Sequence, residues 1–130
     1  MAARNMKRFI GICSLLAGSL IGSSAVLAHH SFAMFDRSKD MIVTGTVQRV
    51  DYANPHVWLT ITVVNDASQE ALWALEGGNL MGLYRMGWYK DTVQEGDEVT
   101  VELHPRVDGD PGGSIMSVTQ ADGTVLSSGG

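Results

Sequence analysis

The chain has 130 residues, one cysteine and a formal net charge of −5. That length allows one domain with one modest core, and the acidic balance argues against a nucleic-acid partner. A single cysteine excludes a disulfide framework.

Arg4, Lys7 and Arg8 open the chain as a positive cluster with no acidic residue among them. Phe9 to Val26 follows as an uncharged run, and Val26-Leu27-Ala28 places small or modest side chains where a signal peptidase cuts. These are the three parts of a secretory signal, so residues 1–28 are expected to be removed on export. The competing reading is a permanent membrane anchor. That run lies at the short end of what spans a bilayer, carries five Gly and Ser residues toward its middle and end, and has no cationic stop after it. Cys13 follows Ile12, where a lipid-modified cysteine needs a small neighbour, so it leaves with the signal. The mature part, residues 29–130, keeps 102 of the 130 residues, with six Lys/Arg against fourteen Asp/Glu and a net charge of −8. A periplasmic or secreted single domain is expected, with no basic face for anionic lipid and no membrane contact after cleavage.

His29 to Asp40 shows no sustained period. Met41 to Tyr52 reads as a long strand in which Gly45 permits a bend. Asn54-Pro55 is a turn, and His56 to Val64 is the clearest strand, with Val57, Leu59, Ile61 and Val63 on one face and Trp58, Thr60 and Thr62 on the other. After the Asn65–Ser68 turn, Glu70 to Glu76 is a third strand. The period then changes: Asn79 caps a short helix carrying Leu80, Leu83 and Tyr84, which stops at Gly87. Glu98 to His104 is a fourth strand, Asp108 to Gly113 a loop, Ser114 to Thr119 a fifth strand, and Asp122-Gly123 the turn of a last hairpin before a frayed tail at Ser127–Gly130. Three strands, a short helix and two strands is the order of the OB-fold, a five-stranded all-β barrel. A β-sandwich is the alternative.

Four histidines remain after cleavage. His29 becomes the N-terminal residue, and an α-amine titrates near pH 8 whereas a lysine amine needs about 10.4. The neutral amine and the Nδ1 of His29 can therefore chelate one metal ion, and a third imidazole would complete a T-shaped nitrogen set suited to Cu(II), with zinc or nickel as further possibilities for imidazole. His30 is an alternative to the His29 ring. His56 is presented by Asn54-Pro55, whose backbone freedom is restricted, and His104-Pro105 closes strand four in the same way. The OB topology brings the end of strand four toward the start of strand one, which favours His104 as the third ligand. Glu76 is either a carboxylate that orients a ligand imidazole or a solvated strand end. Trp58, Trp73, Trp88 and Tyr84 are read first as core residues, and Trp58 with Trp88 as a stacking surface if both are exposed.

His29-His30-Ser31-Phe32 with Phe35-Asp36, Asn54-Pro55-His56, Trp73-Ala74-Leu75-Glu76, Gly87-Trp88 and Gly96-Asp97-Glu98-Val99 together resemble a family of small secreted bacterial proteins known only as a domain of unknown function. The resemblance implies a periplasmic location and a compact β domain, and brings no activity with it. It also implies that His29, His30 and His56 belong to the motif while the position of His104 varies, which ranks His56 above His104, against the topological argument. The expected function is copper binding by a carrier or sensor. Second comes a metal-free module that binds a small ligand or another periplasmic protein, and an enzyme ranks last.

Overall fold

In a computed structural model that describes residues 33–129, the alternating segments become six strands and one short helix. β1 (Met41–Asp51), β2 (Trp58–Val64) and β3 (Glu70–Glu76) form an antiparallel meander. Helix α1 (Leu80–Arg85) follows, then β4 (Glu98–Pro105), β5 (Gly112–Gln120) and β6 (Val125–Ser127). The sheet order is β3-β2-β1-β4-β5-β6, and β3 also pairs with β5 in parallel. β1 serves both halves, pairing with β2 from Gly45 to Asp51 and with β4 from Met41 to Thr46. A shared first strand and a third strand that closes on the fifth define an OB-fold-like five-stranded barrel. The closing pair replaces the open edges of a sandwich.

The barrel is filled by the inward sets that alternation predicts. Val43 and Val47 of β1, Leu59 and Ile61 of β2, Leu75 of β3, Val99, Val101 and Leu103 of β4, and Ile115 and Val118 of β5 are buried. Each buried Leu or Ile contributes about 1.5–3 kcal/mol, so the core is built from the chain's own side chains. β1 can coil between the two halves because Gly45 has no side chain: a Cβ there would run into the carbonyl oxygen of Thr62. The cap expected at Asn79 forms, its Oδ1 accepting the Gly82 N–H at 2.8 Å. The chain leaves α1 through Gly87 at φ +93°, a left-handed conformation that glycine adopts without strain.

Four expectations are corrected. β2 starts at Trp58, so His56 lies in the bend before it, next to a cis Asn54–Pro55 bond. β5 starts at Gly112, because Gly112 and Gly113 pair with Ala74 and Leu75 of β3 and have the small size that close approach demands. Tyr84 faces solvent, and only Leu83 of the helix is fully buried. The tail is ordered through Ser128, which is buried, donates its N–H to Met116 O at 2.9 Å and accepts the Gly78 N–H on Oγ at 3.1 Å.

The lead-in extends the sheet beside the end of β4. Phe35 bridges Arg106, Asp36 N–H donates to Pro105 O at 2.8 Å, and Val107 N–H donates to Met34 O at 3.0 Å.

Two glycines separate closure from helix propensity. A Cβ on Gly112 would lie 2.6 Å from Ala74 O across the closing pair, so Gly112→Ala is expected to lower unfolding free energy by about 2 kcal/mol or more in urea titration. A Cβ on Gly82 meets nothing nearer than Asn79 Oδ1 at 3.4 Å, so Gly82→Ala should raise it by about 0.5–1 kcal/mol.

Candidate functional site

Barrel closure decides which chemistry-bearing residues become neighbours. Across the outer face, His104 of β4 is opposite Ser114 of β5, Ser114 is opposite Glu76 of β3, and Glu76 is opposite Trp58 of β2. Strand spacing is about 4.8 Å, so His104 and Trp58 lie about three strand widths apart on one continuous surface. An open sheet would place them at opposite extremes. His104 does lie against the lead-in, as expected, but His56 is not at the opposite end, since closure brings the start of β2 to the same side of the barrel as the end of β4.

His56 and Glu76 form the most developed polar arrangement on this surface. Glu76 points outward from β3, yet its side chain is only 8% exposed. His56 Nδ1 is 3.2 Å from Glu76 Oε1 and 3.2 Å from Gly77 O. A carbonyl oxygen only accepts hydrogen bonds, so Nδ1 carries the proton and donates. In the neutral ring the lone pair is then on Nε2. The backbone holds the bend from both sides, Val57 N–H donating to Gly78 O at 3.0 Å and Gly77 N–H donating to Val57 O at 2.8 Å. Glu76 is therefore not a solvated strand end: it is buried beside the His56 ring.

His104 repeats the device in a more closed setting. Its Nδ1 is 3.0 Å from Lys39 O and 3.3 Å from Asp40 Oδ1, and its side chain is 12% exposed against 36% for His56. The ring ties the lead-in to the barrel and leaves little surface for a ligand. The lead-in is also clasped by Asp36, whose carboxylate pairs with Lys39 Nζ at 2.8 Å and accepts from Ser38. Those bonds, Lys39 first, hold the Asp36 carboxyl at about 2 instead of 3.8.

Trp58 and Trp88 do not share a surface. Trp58 is partly exposed on the outer face, whereas Trp88 is buried and donates Nε1–H to Ser127 O at 2.8 Å. The stacking pair is thus corrected: Trp88 packs with the core because it bridges α1 to the C-terminal strand. His29 and His30 lie outside the described residues, and among the described residues no group of three or more His, Cys, Asp or Glu side chains converges as a metal site. The roles of Gly77 O and Lys39 O have no sequence signature beyond their place near strand ends, since a backbone acceptor looks the same at every residue.

The fold and this surface define a small OB-fold-like barrel with a carboxylate-oriented histidine on its outer face. The chain belongs to the family of unknown function DUF6152, whose model matches residues 18–116. Among curated proteins none matches. Among solved structures, the mitochondrial single-stranded DNA binding protein Rim1 of S. cerevisiae is similar at 15% identity and a TM-score of 0.47, over 70% of this chain and 97% of that one. So distant a likeness says nothing of what this chain binds.

The His56 ring and the Asp36 carboxyl can each be tested. Long-range ¹H–¹⁵N spectra should show neutral His56 with its proton on Nδ1, and an Nε2–H tautomer would contradict the pairing with Gly77 O. The Asp36 carboxyl has a lower pKa folded than unfolded, so its contribution is present above pH 4 or so and is lost as pH falls toward about 2. The thermal midpoint of Asp36→Asn should accordingly lie slightly below that of the parent at pH 5–7 and converge with it near pH 2, with a smaller gap in high salt.

Proposed function

We propose that the mature protein begins at His29 in the periplasm and binds one Cu(II) ion, acting as a copper carrier or sensor. In this reading the α-amine and Nδ1 of His29 chelate the ion, and Nε2 of His56 supplies the third nitrogen. The observation that carries it is the His56–Glu76–Gly77 arrangement, because an imidazole whose other nitrogen is engaged by a carboxylate and a carbonyl is held in one tautomer and one orientation for a metal. Reach is consistent with the assignment. Met34 sits against Val107, and the four peptide steps from Ala33 back to His29 cover at most about 14 Å extended, about the three strand widths between β4 and β2.

His30 stands one residue along as an alternative ring donor. His104 is assigned a structural role, since its ring is nearly buried where it ties Lys39 and Asp40 of the lead-in to the barrel. Tetragonal nitrogen ligation suits Cu(II) better than zinc, and such donors hold Cu(II) more tightly than nickel. A domain of this size offers little surface for the substrate platform an oxidase needs, so carriage or sensing fits better than catalysis. The implied partner is another periplasmic protein that delivers or receives the ion.

The test adds one residue. Protein purified from the periplasm should have the mass of residues 29–130, bind one equivalent of Cu(II) and give an axial, nitrogen-rich electron paramagnetic resonance spectrum. An extra Ala before His29 converts the amine to an amide and should weaken binding by about 10-fold or more, equivalent to about 1.4 kcal/mol. His56→Ala should weaken it with the fold intact, and His104→Ala should change it less. Equal affinity of the extended and native forms would remove the N-terminus as the site and leave the metal-free binding module.

A further inference from the structure

β3 is paired on both sides for only part of its length. β2 runs beside all of it, from Glu70 to Glu76, whereas β5 reaches only Ala74 to Glu76. Ala74 N–H points away from β2, since it donates to Pro111 O at 3.5 Å. Backbone groups alternate in direction along an antiparallel strand, so the N–H and C=O of Leu72 and Glu70 point the same way as those of Ala74. Among the described residues no strand pairing and no backbone hydrogen bond meets them on that side.

The side chains at this edge are mostly apolar. Leu72 stands 63% exposed on the outer face. Ala71 and Trp73 face the other way, and Trp73 packs against the core yet stays only partly buried, because no neighbouring strand covers that side. An edge with free N–H and C=O groups is a template for another extended backbone.

Charge identifies the kind of backbone. Glu70 stands in the edge, Asp66 lies in the turn that leads to it, and Asp110 precedes the Pro111 whose carbonyl meets Ala74. All three are exposed, and among the described residues no salt bridge engages them. In the hairpin that carries Asp110, Arg106 is paired with Asp108. A second copy of the chain would bring the same carboxylates and the same net charge of −8 over residues 29–130, six Lys/Arg against fourteen Asp/Glu, so self-pairing here is opposed. We infer that the free edge of β3 binds an extended, lysine- or arginine-bearing segment of a partner protein by strand addition. Glu70 and Leu72 supply the backbone hydrogen bonds. Side chains of the segment on the outer face meet Glu70 and Leu72, which suits a cation, and those on the other face cover Ala71 and Trp73, which suits an aliphatic group. The edge lies at the far end of β3 from Glu76, so the inference is independent of any metal.

The probe is the peptide acetyl-Lys-Val-Lys-Val-Lys-amide, titrated into ¹⁵N-labelled mature protein. Amide shifts should be saturable and centred on residues 70–73, and hydrogen exchange at the Glu70 and Leu72 amides should slow in the complex. The same peptide methylated on its lysine backbone nitrogens cannot donate to the edge and should bind about 10-fold more weakly or worse. Glu70→Gln should weaken the unmethylated peptide about two- to five-fold, the range of an exposed ion pair. Circular dichroism checks that this surface variant keeps the β fold. Shifts centred elsewhere, equal binding of the methylated peptide, or affinity indifferent to Glu70→Gln would each overturn the assignment. Protection of the same two amides that grows with protein concentration in the absence of peptide would also overturn it, and give the edge to a second copy of the chain.

Discussion

The parallel pairing of β3 with β5 is the constraint on which the rest of the molecule depends. Without it the chain would be an open sheet coiled round β1, with Glu76 at one edge and His104 far from it. Parallel neighbours so close to a β4–β5 corner need side chains that take no room, and Gly112 and Gly113 meet the carbonyls of Ala74 and His104 where any Cβ would intrude. Closure covers the end of β3. That cover is what buries Glu76, and a buried carboxylate is stable only when paired or hydrogen-bonded. His56 and the barrel rim are therefore ordered by the same event that completes the core.

The two barrel histidines use one device with opposite consequences. Each donates from Nδ1 toward a backbone carbonyl with a carboxylate close by. At His104 the partners, Lys39 and Asp40, lie on the lead-in, so the bond closes the surface and fastens the N-terminal segment alongside β4. At His56 the partners are the last residue of β3 and the glycine after it, and the ring stays one-third exposed. The difference comes from which chain segment supplies the carbonyl. A closed histidine holds structure, and an open one offers a nitrogen.

Charge is spent locally on most of the barrel. Arg49 with Asp51 and Arg106 with Asp108 are separated by two residues, so they brace a strand end and a loop more than they join distant parts. Such exposed pairs contribute little to stability. Beside α1 the surface has a different character, set by the edge-to-face pair of Tyr84 and Tyr89, both about half exposed.

Alternation alone determined most of the architecture. Leu59 and Ile61 against Trp58, Thr60 and Thr62 settle the faces of β2, and Asn79 and Gly87 mark the helix, because period and capping are local properties of the chain. The order of those elements was enough to name the barrel. What the sequence could not decide was which strand ends become neighbours, since pairing of β3 with β5 spans nearly forty residues and depends on a register that no local pattern encodes. Gly112-Gly113 read as loop for that reason. Trp88 and Tyr84 were equally alike as aromatic residues near a helix, yet one is buried by a bond to Ser127 and the other left on the surface by the turn of α1. His56 and His104 had the same neighbour chemistry in sequence, each beside a proline. Only tertiary packing gave one of them to the lead-in and left the other open, because burial is a property of what closes over a residue and not of the residue itself.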